Sequence, residues 1–235
     1  MKKNNSENNN IQNIPLSREV ILDGVVRKLA KERDGENSSI LSNEDLTISR
    51  QKFIPNNYSG PDIWVFGYGS LIWNPLMKFI SKEKGKVFGY HRKFCLWTKI
   101  GRGTPDYPGL MLGLLNGGCV EGLAYKISST DAASELDLLW KREMLNNSYE
   151  PKWLNVHTNN DQLKALSFVV KKTSPNFVNI KNLEEQSKII SKAKGYIGNC
   201  SQYLLQTEDA LNEHDINDNY IRILSKYVKN KKIIY

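Results

Sequence analysis

A chain of 235 residues is long enough to bury its own core without disulfides or metals, which excludes a stapled mini-protein. Hydrophobic residues at 40% and aromatics at 10% exclude wholesale disorder, and the mean hydropathy of -0.51 reflects many Asn and Lys residues. The formal charge of +8 raises nucleic acid or an anionic substrate as partner, while no apolar run approaches the roughly 20 residues of a membrane-spanning helix; a soluble, cytoplasmic protein is expected.

Along the chain, residues 1–14 read as a disordered tail. Ser17 then N-caps a helix expected over 18–33, with Val20, Ile21, Val25 and Leu29 as its apolar stripe and Gly35 as its stop. Ser42 and Asp45 have capping-box spacing and predict a second, shorter helix. Pro55, Gly60 and Pro61 punctuate the chain after that helix. Residues 1–60 are therefore an N-terminal extension, partly disordered and partly helical, with too few apolar residues for a core of its own. The catalytic domain is expected over 61–235. It starts with an apolar strand, Ile63-Trp64-Val65-Phe66, that runs into the glycine turn Gly67-Tyr68-Gly69-Ser70. Strands are expected at 86–98, 109–115 and 119–127, the last two joined by the hairpin signal Asn116-Gly117-Gly118. Further strands at 149–158 and 163–171 precede helices at 182–194, 200–212 and 218–230. Strands before helices with hairpin links predict an α+β fold, a mainly antiparallel sheet closed into a small barrel with flanking helices.

The most informative local pattern is a helix over 130–145, capped by Ser129 or Thr130, with Leu136, Leu139 and Trp140 on its apolar face. Glu143 occupies the next position of that stripe. A carboxylate there is paired, protonated or working, since unpaired burial of its charge is costly. The helix dipole at the last turn also favours its neutral form, so burial and dipole both push it toward the range of a general base. Lys141 and Arg142 are expected on other faces and not as its partners. On pattern alone a structural ion pair, or a helix edge that reaches solvent, weighs equally. The glycine turn fits neither a Walker loop nor a nucleophile elbow, because Ser70 is followed by Leu71 and Ile72. Its amides can still receive a carboxylate or oxyanion, with an ordinary tight turn as the plainer reading. Cys95, Cys119 and Cys200 read as scattered buried thiols, and His91, His157 and His214 lack metal-ligand spacing, so no metal is expected. Residues 78–102 interleave Lys and Arg with aromatics, as a single-strand nucleic-acid surface would. Amphipathic strands with solvated lysines on one face explain the same alternation and rank first.

Three ordered motifs carry a resemblance: Trp64-Val65-Phe66-Gly67-Tyr68-Gly69-Ser70-Leu71-Ile72-Trp73, then Gly101-Arg102-Gly103-Thr104-Pro105-Asp106-Tyr107-Pro108-Gly109, then Leu139-Trp140-Lys141-Arg142-Glu143-Met144. Together with Gly198, Cys200 and Tyr203-Leu204 they resemble the ChaC family of glutathione-specific γ-glutamylcyclotransferases over about 64–228, bacterial branch included. The resemblance implies cleavage of glutathione to 5-oxoproline and cysteinylglycine without cofactor, on a small barrel with flanking helices. The substrate's own α-amine is the nucleophile, so the lack of a Ser or Cys triad is expected, and alignment of a flexible chain is what the protein must supply. The resemblance makes Glu143 the base and assigns substrate contact to Val65, Phe66, Gly67, Tyr68, Gly69, Ser70 and Leu71. The amides of Gly69, Ser70 and Leu71 would hold the γ-glutamyl carboxylate or the oxyanion. Tyr149 matches the family's tyrosine after the base, although Asn147 and Ser148 stand where many members have two glycines. Arg102 is a contact for the glycine carboxylate or a residue behind the contacts, with a solvated turn residue weighing almost equally, and Tyr203 is a weaker candidate, since a helical tyrosine beside Leu204 and Leu205 is usually core. A cyclotransferase for other γ-glutamyl amides or amines is the alternative, and a nucleic-acid-binding module ranks last. Oligomeric state is not legible in the sequence.

Overall fold

The computed structural model describes residues 14–34 and 40–231. The disordered tail expected over 1–14 lies outside these residues except for Ile14, and so does Gly35. Ser17 caps the first helix as predicted, its hydroxyl accepting from the Val20 amide at 3.3 Å. The single helix expected over 18–33 is instead two, α1 (Arg18–Leu22) and α2 (Val25–Asp34), because Gly24 between them takes φ 68. That left-handed conformation ends one helix and redirects the next. α3 (Asn43–Gln51) opens with the complete capping box read from the sequence: Asp45 N donates to Ser42 Oγ at 2.9 Å, and Ser42 N donates to Asp45 Oδ2 at 3.2 Å.

Five strands close the barrel: β1 (Ile63–Gly67), β2 (Ser81–Thr98), β3 (Gly109–Ile127), β4 (Tyr149–His157) and β5 (Gln162–Val170). Their order is β1-β3-β2-β4-β5, and β5 returns to β1 in a parallel pairing while the other neighbours in that order run antiparallel. The mainly antiparallel barrel with flanking helices is therefore the observed fold. The hairpin expected at Asn116-Gly117-Gly118 is absent; β3 passes straight through these residues and pairs with β2 along its length. A two-residue turn needs its flanks to pair with each other, and here both flanks pair with β2. The ladder steps from Phe88↔Cys119 to Tyr90↔Asn116, so Gly117 (φ 103) and Gly118 (φ 74) oppose the single Gly89 (φ 83). The glycines serve a bulge, which bends and twists two very long strands around the barrel. β2 also resolves the basic, aromatic stretch: Arg92 and Phe94 are buried while Phe88 is exposed. Its aromatics and cations are thus divided between faces, as an amphipathic strand requires.

Helices cover the barrel: a single turn α4 (Ser70–Trp73), then α5 (Ala132–Glu143), α6 (Leu183–Lys192), α7 (Cys200–Glu213) and α8 (Asn219–Lys231), with a two-residue pair β6 (Lys194–Gly195) and β7 (Gly198–Asn199) ahead of α7. The N-cap of α5 is Asp131, not Ser129 or Thr130. Thr130 Oγ1 is engaged with Ser128 Oγ at 2.8 Å, and the Ser129 amide donates to Asp62 at 2.9 Å. Ile21, Leu46 and Ile54 of the extension join the same hydrophobic core as the barrel. Polar ties reinforce this: Arg50 Nε meets Asp137 Oδ1 at 2.8 Å, and Trp140 Nε1 donates to Ser49 Oγ at 3.1 Å. Among the described residues no helix is long and apolar enough to cross a membrane.

Candidate active site

β1 delivers the glycine turn from a strand bonded on both sides. The turn's carbonyls are then claimed by buried side chains. Ser167 Oγ donates to Phe66 O at 2.9 Å, Arg92 Nε to Tyr68 O at 2.8 Å, and Tyr125 Oη to Leu71 O at 2.8 Å. Arg92 is itself fixed by Asp218 at 2.6 Å. Gly69 allows a close approach: a Cβ there would stand 3.1 Å from the Tyr203 hydroxyl, which would have to give by a few tenths of an ångström. With the carbonyls occupied, the amides of Gly69, Ser70 and Leu71 head α4, where helix geometry leaves N–H groups without intrahelical acceptors.

Glu143 is the last residue of α5, with its side chain 16% exposed. Burial pushes its carboxyl above the ordinary range, and Arg142 pulls it part of the way back. Here the expectation that Arg142 faces elsewhere is wrong: Arg142 Nε meets Glu143 Oε1 at 2.9 Å. At the helix end the guanidinium is free to fold inward, and backbone acceptors hold it there. It donates to Asn74 O, to Pro75 O at 3.3 Å and, through Nη2, to Ser70 Oγ at 2.9 Å. Arg142 thus couples the glycine turn to the carboxylate, and it is the site residue that sequence reasoning missed. A second carboxylate on α5, Glu135, was also not anticipated. It is 1% exposed but saturated, receiving Arg18 at 2.5 and 2.8 Å and the Lys78 amide at 3.0 Å. Glu135 is structural by its partners; Glu143 has one ionic partner and faces open space.

That space is a cavity of ≈ 670 Å³ whose wall includes Ser70, Trp73, Arg102, Arg142, Glu143, Tyr149 and Tyr203. Tyr149 Oη donates to Leu112 O at 2.7 Å rather than to Glu143. Burial raises the Tyr68, Tyr149 and Tyr203 phenols, and the charge of Glu143 raises each further, so all three stay protonated around it. Tyr203 packs edge-on against Trp73 and Phe94, and Arg102 lies 6.0 Å over its ring while donating to Asn199 O at 3.2 Å. The segment 65–71 is only partly on the wall. Ser70 lines the cavity; Val65, Phe66 and Leu71 are buried in the hydrophobic core, and Tyr68 is buried with its hydroxyl on Phe168 O. Of residues 65–71, Ser70 is the one on the cavity wall, and the side chains of Val65, Phe66, Tyr68 and Leu71 support the turn from behind. The outer wall comes from α1 and α2, a contribution the sequence did not disclose.

Cys95 and Cys200 are buried and pushed up to about 12, so they are poor nucleophiles at neutral pH. Cys119 is exposed, contrary to the reading of three buried thiols. Among the described residues no group of three His, Cys, Asp or Glu side chains is placed to hold a metal ion.

A family model described as ChaC-like protein matches residues 63–231. The glutathione-specific gamma-glutamylcyclotransferase of Escherichia coli (strain K12) is 36% identical over 171 residues, covering 72% of this chain and 74% of its own. The human glutathione-specific gamma-glutamylcyclotransferase 1 is 32% identical over 161 residues, covering 66% of this chain and 72% of its own. Among solved structures, a yeast gamma-glutamyl cyclotransferase specific to glutathione matches with a TM-score of 0.68 at 22% identity, covering 73% of this chain and 97% of that one, a likeness of fold. The glycine turn, Arg142, Glu143, Tyr149 and Tyr203 all lie inside the family match, whereas α1, α2 and α3 precede it.

Proposed function

The chain belongs to the ChaC-like protein family, and from that membership we propose that it is a glutathione-specific γ-glutamylcyclotransferase, releasing 5-oxoproline and cysteinylglycine. One observation carries the assignment of the site: a half-buried carboxylate, Glu143, opens onto the same cavity as the glycine turn, with Arg142 joining the two. The reaction needs a base because an α-ammonium cannot attack. Between an ordinary Glu near 4.3 and an amine near 8 the gap of roughly 3.7 units is about 5 kcal/mol against proton transfer. Burial of Glu143 narrows that gap from the acid side.

The steps follow from the placement. Oε1 of Glu143 is held by Arg142, which leaves Oε2 to take a proton from the substrate ammonium. The freed amine attacks the γ-carbonyl carbon, a five-membered ring closes, and the carbonyl oxygen becomes an oxyanion. Collapse of that intermediate breaks the bond to the cysteine nitrogen, and Glu143 returns its proton there. The attacking nitrogen gives up a second proton as the lactam forms, and the freed carboxylate passes it to the released amine, so two protons move from the attacking to the leaving nitrogen and the step balances without water. The amides of Gly69, Ser70 and Leu71 receive the γ-glutamyl carboxylate or the oxyanion, and their rigid support means little reorganisation as charge develops. Tyr149, whose hydroxyl hydrogen is engaged by Leu112 O, presents an oxygen lone pair to the substrate amine. Arg102 and Tyr203 shape the opposite wall.

The experiment is mass-spectrometric detection of 5-oxoproline and cysteinylglycine from glutathione by the parent protein and by Glu143→Gln. Both products from the parent and a loss of about 10²- to 10⁴-fold in the variant are expected. Full activity in the variant would remove Glu143 as base. A parent that ignores glutathione but cyclises another γ-glutamyl amide would overturn the substrate assignment while leaving the reaction class.

A further inference from the structure

We infer that Arg27, on the appended helix α2, binds the terminal carboxylate of the leaving group, so that the extension selects γ-glutamyl peptides ending in a free carboxylate. The inference rests on the cyclotransferase reading of the site. Arg27 lines the same cavity as Glu143, on the wall that precedes the family match. That wall is cationic overall: Arg27, Lys28 and Lys31 against Asp23 and Glu32, with Lys28 drawn to Glu32 at 4.0 Å, and Lys141 of α5 adds a further cation to the cavity.

Arg27 is held in place and left unsatisfied. One guanidinium nitrogen, Nη1, donates to Leu41 O, and Leu41 N in turn donates to Leu145 O at 3.0 Å, two residues beyond Glu143. The side chain is thereby tied through a single residue to the end of the helix that carries the base. The second terminal nitrogen, Nη2, is buried with no partner among the described residues. Burial draws the guanidinium below its usual value. A buried donor of a charged group left without an acceptor is costly, and an arriving carboxylate removes that cost in the bidentate geometry a guanidinium fits best. Arg102 is less suited, since it is occupied by Asn199 O and the Tyr203 ring.

The test compares glutathione with its glycine ethyl ester, which differs only in the terminal carboxylate. The parent is expected to favour glutathione by about 10- to 100-fold in kcat/KM. In Arg27→Met, turnover of glutathione falls to the level of the ester while the ester is unaffected, so the ratio approaches one. Arg27→Lys, which keeps charge but not the fork, lowers the ratio several-fold and serves where Arg27→Met does not fold. A parent ratio near one, a ratio that survives both substitutions, an equal loss for both substrates, or a collapse of the ratio in Arg102→Met instead would each overturn the inference. Calorimetric binding of the two compounds to Glu143→Gln, with and without Arg27→Met, gives the same ratio without catalysis. If the parent releases no 5-oxoproline the functional reading fails, and the calorimetric ratio still decides the role of Arg27.

Discussion

Replacing Arg18 with Met removes the counter-ion of Glu135 without shortening the aliphatic stem. Glu135 is 1% exposed and Arg18 26%, and the pair meets through two contacts of 2.5 and 2.8 Å. Breaking one side of a fully buried pair costs about 3–5 kcal/mol because the other charge is left behind. Two features place Arg18→Met at the lower end, about 3 kcal/mol: Arg18 is partly solvated, and the Lys78 amide still donates to Glu135. Loss of the Arg18 bond to Leu76 O at 3.1 Å adds a contribution of about 1 kcal/mol at most. Adding Glu135→Gln to the first substitution removes the stranded charge, so the double variant should recover most of the loss. Urea unfolding at constant m-value, run as a double-mutant cycle, measures both quantities. A single-variant loss below about 0.5 kcal/mol, or strictly additive losses, would refute the reasoning and with it the contrast between a saturated Glu135 and an available Glu143.

Glu143, whose folded-state pKa is raised, contributes stability that is present below the ordinary carboxylate value and lost as pH rises through the raised one. Glu143→Gln should therefore stabilise the fold at pH 7.5, with the gain shrinking toward pH 4.5; urea midpoints at both pH values check it, and a destabilised variant at pH 7.5 would contradict it. The acidic limb of kcat/KM should lie above the ordinary Glu range near 4.3, and Arg142→Met, which removes the group holding Glu143 down, should move that limb further up. Gly122→Ala would place a Cβ 2.3 Å from Gly67 O, at the root of the glycine turn, whereas Gly117→Ala meets nothing within 4 Å and pays only for φ 103. The first should lower both stability and kcat/KM; the second should cost about 1–2 kcal/mol and leave turnover intact, and equal effects on turnover would count against the turn's role.

Legibility in the sequence tracked how local the physics was. Ser17 and the Ser42–Asp45 box were readable because a cap is decided within four residues. Glu143 was readable because the stripe Leu136, Leu139, Trp140 runs into it, and the observed burial raises its pKa in the expected direction. The expected helix over 18–33 runs through Gly24 and the expected hairpin sits on Gly117-Gly118 for one reason: a glycine permits a backbone irregularity without saying whether or how its partners will use it. Arg142 was missed because facing was judged by ideal helical angles, and a long side chain at a helix end can be drawn inward by acceptors such as Asn74 O and Ser70 Oγ that lie about seventy residues away. The walls supplied by α1 and α2 were invisible for the same reason, since only the closed barrel brings them over Glu143.

β1 is paired with β3 on one side and β5 on the other, so the turn it carries is anchored at its root. With Arg27 on the leaving group as inferred, the γ-glutamyl end meets residues inside the family match and the leaving group meets helices that precede it. Substitutions before position 63 should then change which leaving group is accepted while the cyclisation itself is unaltered.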